Sequence, residues 1–272
     1  MRLLSYNIHK GIGGRDRRYR IERVIDVIEQ ENPDVICLQE VARNSRRSRF
    51  HDQPRLIAEY FNAGERLFQM NVHLKRGGYG NLILSRWDFH EKHQISLRLN
   101  RKKPRGAQIA VVRTPEGELR LVNWHLGLAE RERHWQANHL FNHHLFREAE
   151  HLPTLIVGDF NDWRNTLAEG PFARHRYEHV TTPPSRFRSF PAYMSVGSLD
   201  KAFFRGDVTI RHARIVRTLG ARLASDHLPL AIDFHLGSTP LDAIAEESKA
   251  DHRGSRSEQP PVTEGDGARN GG

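Results

Sequence analysis

A chain of 272 residues that is 38% hydrophobic holds enough apolar side chain for the core of one large domain or two small ones. A single cysteine, Cys37, excludes an internal disulfide, and no window approaches about 18 apolar residues, which excludes a helical membrane span. The formal net charge is +9; residues 237–272 hold seven acidic and four basic side chains and so carry −3, leaving +12 on residues 1–236. Such a body suits a polyanionic partner: nucleic acid, an anionic membrane surface or a phosphorylated small molecule.

Arg2–Ile8 reads as a first strand closed by Asn7-Ile8-His9-Lys10-Gly11. No long apolar leader precedes it, and Cys37 sits in the apolar run Val35–Leu38, so a cytoplasmic location is expected. Ile21, Val24, Ile25 and Ile28 fall at i, i+3, i+4 and i+7 and predict an amphipathic helix, which Asn32-Pro33 stops. Asp34–Leu38 is a short strand ending in Gln39-Glu40, and Arg43–Arg49 is a basic loop. Leu56, Ile57, Tyr60 and Phe61 predict a second helix. Leu67–Leu74 predicts a strand, Gly77-Gly78-Tyr79-Gly80 a flexible turn, and Asn81–Ser85 a buried strand.

Ile95–Leu99 and Gln108–Val112 predict a hairpin around the basic loop 100–106, and Leu119–Trp124 a strand ending at His125. Glu130–Glu150 predicts one helix with Ala137, Leu140, Phe141 and His144 on its stripe. Leu155–Trp163 (LIVGDFNDW) runs from buried strand into Gly158, Asp159, Asn161 and Asp162, either an ordinary Asp/Asn turn or the strand end at which an α/β enzyme places its chemistry. Residues 164–195 are loop-rich. Leu199–Phe204, Val208–Val216 and Leu228–Phe234 predict strands, and Ser225-Asp226-His227 precedes the last of them. From Gly237 the composition predicts a disordered tail. Many short strands and about three helices predict two packed sheets with helices outside, not one doubly wound sheet.

Polar residues stand where the apolar strands run out: Asn7, Glu40, His125, Asp159, Asn161, Asp200, Asp226 and His227. Each alone has a structural use as a turn cap, a solvated strand end or a satisfied core histidine. Together they suit hydrolysis of a phosphate ester. Hard carboxylate oxygens hold Mg²⁺, amides position phosphate oxygens, and histidines serve as acid, base or charge-stabilising groups.

The segments SYNIHKG (5–11), CLQEV (37–41), GNLILSR (80–86), NWHLG (123–127), GDFND (158–162), SLDKAFF (198–204) and SDHLPL (225–230) span nearly all of residues 1–236. In content and order they resemble the endonuclease/exonuclease/phosphatase superfamily, which includes deoxyribonuclease I, and their wording is most similar to a bacterial subgroup of poorly defined substrate. The resemblance implies an α/β four-layer sandwich of two packed, mainly antiparallel mixed β-sheets flanked by helices. It implies Mg²⁺ or Mn²⁺ held chiefly by Glu40, with Asp226 and Asn7 completing the metal and phosphate network. His227 would stabilise the transition state or act as base, oriented by Asp200. Asp159 would orient or deprotonate water, Asn161 would bind phosphate, and His125 would contact phosphate or protonate the leaving group.

Other residues have weaker claims. Asn81 either orients the site or merely starts a strand, and His9, Lys10 and Arg105 are either phosphate contacts or solvated loop charges. His139 and His143 have a zinc-compatible i, i+4 spacing but no third ligand nearby. Arg43, Arg46, Arg47, Arg49, Arg101, Lys102 and Lys103 form either a polyanion footprint or a solvated surface. Asp162 is expected to hold its turn. The leading expectation is a Mg²⁺-dependent phosphodiesterase acting on nucleic acid. The alternatives are a hydrolase of anionic phospholipid or inositol phosphate, whose expected apolar hairpin is not evident, and a non-catalytic nucleic-acid-binding module.

Overall fold

The computed structural model describes residues 1–237; the expected tail, beyond Gly237, lies outside the described residues. In chain order the strands are β1 (Arg2–Asn7), β2 (Val35–Arg43), β3 (Glu65–His73), β4 (Gly78–Ser85), β5 (Phe89–Ser96), β6 (Gly106–Thr114), β7 (Gly117–His125), β8 (Thr154–Asp159), β9 (Glu178–His179), β10 (Asp200–Arg205), β11 (Val208–Ile215) and β12 (Leu230–Leu236). The helices are α1 (Ile21–Glu31), α2 (Gln53–Tyr60), α3 (Glu130–Asn142), α4 (His144–Glu148) and α5 (Leu219–Ala224).

One six-stranded sheet has the order β11-β12-β1-β2-β4-β3 and the other β5-β6-β7-β8-β10-β9. Among the described residues, only β1–β2 and β7–β8 pair in parallel. The sheets stack face to face with helices outside them, as a deoxyribonuclease I-like four-layer α/β sandwich.

Alternation along β8 explains this layering. Leu155 and Val157 join the apolar layer that also holds Leu4 and Cys37 from the first sheet, whereas Ile156 faces outward to pack with Leu140 and Phe141 of α3. Both faces of β8 are therefore buried, which is why it reads as an apolar run rather than as alternating polar and apolar residues. Each such aliphatic side chain removed from water contributes roughly 1.5–3 kcal/mol.

The layer between the sheets carries one polar pin. The two N–H groups of Asn123 Nδ2 on β7 are shared among the carbonyls of Leu38 (3.1 Å) and Leu82 (3.1 Å) on the opposite sheet and Gln108 Oε1 (3.0 Å), and its Oδ1 accepts from Gln39 Nε2 (2.8 Å). A buried amide with these partners makes one sheet-on-sheet register favourable and penalises others.

Four local expectations change. The predicted single helix 130–150 breaks at His143, whose extended backbone separates α3 from α4. Strand β5 begins at Phe89, six residues before the expected hairpin arm, because FHEKHQ lies on a mostly solvated edge and lacks an apolar run. Gly78–Gly80 belong to β4 rather than to a turn; at Gly80 a side chain would collide with the Gln69 carbonyl. The short helix α5, capped by Thr218, has no sequence periodicity long enough to reveal it.

Candidate active site

The parallel pairs place their carboxyl ends together. In the second sheet His125 pairs with Asp159 across β7–β8, and Asp159 pairs with Asp200 across β8–β10. In the first sheet Asn7 ends β1 beside Gln39 of β2, and Ser225-Asp226-His227 leads into β12. Residues far apart in sequence thus meet because register and strand ends coincide at one edge of the sandwich.

Asp159 is the hub. Its Oδ2 accepts from Asn7 Nδ2 at 3.0 Å and faces His125 Nε2 at 3.3 Å and His227 Nε2 at 3.6 Å; its Oδ1 accepts from the backbone N–H of Asn161 at 3.0 Å. His227 Nδ1 donates to Asp200 Oδ2 at 2.8 Å. The other Asp200 oxygen is buried with no hydrogen-bond partner among the described residues. Gly158 makes this turn possible: its φ is +141°, and a side chain there would strike the Trp124 carbonyl.

Electrostatics separate the two histidines. Burial presses the His227 imidazolium down, but the carboxylates of Asp200, Asp159 and Asp226 outweigh it, and its pKa is raised well above the ordinary histidine range. Burial also lowers His125, and the cations Arg105 and His227 push it further down. Burial raises Asp159, against the pull of His227.

Glu40 lies on the other wall. The ladder between β2 and β4 shifts between Leu38 and Val41, and Glu40 has a φ of +56°. A non-glycine residue in that region costs about 1–3 kcal/mol, a strain that clusters at functional sites. The carboxylate bonds the Lys10 ammonium; burial alone would raise its pKa, but Lys10, Lys103 and His9 more than offset this and lower it. Asp226 is the more open carboxylate, with Ser225 Oγ at 3.4 Å and His9 Nδ1 at 3.7 Å. Ser225 Oγ also donates to the Asn7 carbonyl at 2.7 Å and so fastens this loop to β1.

All eight sequence-predicted residues therefore share one edge. Two of the amides have partners already: Asn7 holds Asp159, and Asn161 Nδ2 donates to the Leu126 carbonyl at 3.0 Å. Asp162 accepts from the N–H groups of Thr166 and Leu167 and faces Arg133, so it holds its turn as expected. His139 stacks on Trp135, and no group of three His, Cys, Asp or Glu suited to a metal occurs among the described residues, which leaves the zinc spacing without support. Glu40, Asp226 and the Asn7 side-chain oxygen, Oδ1, are hard donors and no thiol is among them. That set fits a cation that keeps several waters and takes one or two carboxylates, and does not fit a closed zinc site.

Arg105, which the sequence leaves open as a phosphate contact or a solvated loop charge, is not solvated. It is buried, its Nε has no partner among the described residues, and it lines a narrow cavity with Glu40, Tyr79, Asn81 and His125. Burial lowers its pKa, while Asp159 and Glu40 stabilise the charge. Asn81 also lies here and donates to the Gly106 carbonyl at 3.0 Å.

The model of the Endonuclease/Exonuclease/phosphatase family matches residues 4–227. The chain belongs to that family. It is 27% identical over 247 residues to the uncharacterized protein YbhP of Escherichia coli (strain K12), covering 86% of this chain and 96% of that one. Among solved structures, it is similar to an endonuclease/exonuclease/phosphatase from Beutenbergia cavernae at TM-score 0.75 and 21% identity, over 89% of this chain and 72% of that one. It is also similar to the mannosyl-6-phosphatase Bt3783 of Bacteroides thetaiotaomicron, at TM-score 0.66 and 15% identity, over 86% and 99%. At these identities the structural likeness speaks for the fold.

Proposed function

We propose that this chain hydrolyses phosphoesters with a divalent cation, Mg²⁺ or Mn²⁺, and that nucleic acid is its leading substrate class. One observation carries the reading: Asp200 and Asp159, both buried, flank His227, with Asp200 Oδ2 2.8 Å from Nδ1 and Asp159 Oδ2 3.6 Å from Nε2. Glu40 and Asp226, with Asn7 beside them, would hold the cation, which when bound supplies neutralisation of the charge that develops on the phosphate.

The chain's own groups divide the remaining work. Asp159, whose proton affinity burial raises, orients the attacking water and takes its proton. His227, kept cationic, donates Nε2–H to a phosphate oxygen and so serves as stabiliser rather than base. Asp200 fixes its ring orientation. His125, whose pKa burial lowers, presents Nε2 to the same space, suited to a phosphate or leaving-group contact. Asn161 shapes the turn that holds Asp159, with one amide N–H left to reach phosphate.

A lipid substrate gains support from a feature the sequence did not make evident. Phe190 packs 4.8 Å from the His227 ring, Phe190 bridges to Gly197, and the intervening loop exposes Tyr193, Met194 and Val196. Trp163, itself half exposed, packs against Phe190. An apolar rim at the mouth of a site suits an acyl chain or an unstacked base. No helix of the described residues is long and apolar enough to cross a membrane.

A substrate panel with Mg²⁺ or Mn²⁺ separates these readings: plasmid, abasic duplex, single strands, anionic phospholipid vesicles and inositol phosphates. Cleavage of a nucleic acid is the expected result. Vesicle turnover without nucleic-acid cleavage would transfer the assignment to lipid. Tight nucleic-acid binding in EDTA, with no phosphoester hydrolysed in either metal, would make the chain a binding module.

A further inference from the structure

A cleft of about 710 Å³ opens beside Glu40, a size in the ordinary range for small-molecule sites. Its charged lining is wholly cationic: Lys10, Arg46, Arg47, Lys75, Arg76 and Lys103, with no carboxylate. Only Lys10 has an acidic partner, Glu40; the other five have no carboxylate oxygen within 4.0 Å among the described residues. Packing six cations around one concavity is unfavourable unless an anion enters, because each raises the potential felt by the rest. The basic run of residues 43–49 and the loop 100–106, distant in sequence, both contribute, whereas Arg43 and Arg49 turn away onto Phe68 and Tyr19.

The cleft is joined to the reactive end. Tyr79 lines both it and the narrow cavity holding Glu40, Arg105 and His125, and its ring carries the ammonium groups of Lys10 at 4.5 Å and Lys103 at 5.4 Å. Phe50 and Leu74, each half exposed, add apolar surface between the charges. Arg46, Arg47, Lys75 and Arg76 are exposed and serve no visible packing role.

We infer that this cleft is a second anion subsite, which takes a phosphate group separated by a spacer from the phosphoester undergoing hydrolysis. The preferred substrate class is thus an organophosphate with two phosphate groups, whether a nucleotide or a lipid headgroup supplies them. The inference rests on the hydrolytic reading for the position of the first phosphate.

The test is calorimetric titration of the full chain in Mg²⁺ with two matched pairs. The first is thymidine 5′-monophosphate against thymidine 3′,5′-bisphosphate; the second is dihexanoyl phosphatidylinositol against its 4-phosphate. In at least one pair the doubly phosphorylated member should bind about tenfold tighter, the scale of a charge-assisted contact, and the pair that responds identifies the source. The double variant Arg47→Gln/Lys75→Gln should abolish the preference without changing its melting temperature or its hydrolysis of bis-p-nitrophenyl phosphate, which has no second phosphate. Equal binding within both pairs, or a preference that survives in the variant, would overturn the subsite. Hydrolysis without the preference removes the cleft alone; the preference without hydrolysis of any substrate removes the catalytic reading alone.

Discussion

Replacing His227 with Gln is expected to lower kcat on bis-p-nitrophenyl phosphate by about a thousandfold, the range for loss of a positioned proton donor and of charge stabilisation in the transition state. Glutamine is close in size and offers an amide N–H, so the packing against Phe190 largely survives. What it lacks is the positive charge that Asp200 and Asp159 hold in place. The loss should therefore fall on kcat far more than on KM, because the charge matters most when the phosphate gains negative charge. Retention of more than a tenth of wild-type kcat would remove His227 from the mechanism.

Asp159→Asn should lose activity on a similar scale while leaving the metal-free protein as stable as the parent or more so. The carboxylate is buried, and burial raises its pKa to about 6. The sign follows from linkage: a carboxyl held above its unfolded value binds its proton more tightly in the native state. Native stability therefore falls as pH rises through that window, and the penalty is fully present above it. Asparagine carries no such penalty and still accepts from the Asn161 N–H, while Asn7 Nδ2 loses the second carboxylate oxygen as its acceptor, which offsets part of the gain. Urea denaturation in EDTA should show a variant gain at pH 7.5 that shrinks at pH 4. A variant that is inactive because it is strongly destabilised at pH 7.5 would make Asp159 a structural residue. This pairing of lost function with kept stability is expected where an active site holds charge against the fold's preference.

Much of this site was legible in the sequence because its residues terminate strands. Asn7, His125 and Asp159 each follow apolar runs whose burial fixes where the chain must stop and turn, so their placement at one edge follows from two sheets with coincident ends. The metal and catalytic roles came from resemblance, since spacing alone cannot bring Glu40 near Asp226. The sequence marks Arg105 as a phosphate contact or a loop charge without deciding between them, because burial is a tertiary property: nothing in NRKKPRG shows that this arginine is enclosed by Asn81, Glu40 and His125 while Arg101 and Lys102 are exposed. The exposed rim at Tyr193, Met194 and Val196 escaped for a related reason. Three apolar residues in a loop are unremarkable until the fold places their base against His227. The break at His143 is a single extended residue inside a sequence that otherwise favours continuous helix.

The proposed activity is metal-assisted phosphoester hydrolysis by the residues gathered at this edge, the ends of β1, β7 and β8 and the irregularity in β2 that carries Glu40. Its most direct test is the initial rate of p-nitrophenol release from bis-p-nitrophenyl phosphate by the purified full chain, with Mg²⁺ or Mn²⁺ and then with EDTA in excess. Sustained turnover with metal, loss to background with EDTA and recovery when metal is restored are expected. Turnover that persists unchanged in EDTA would contradict it.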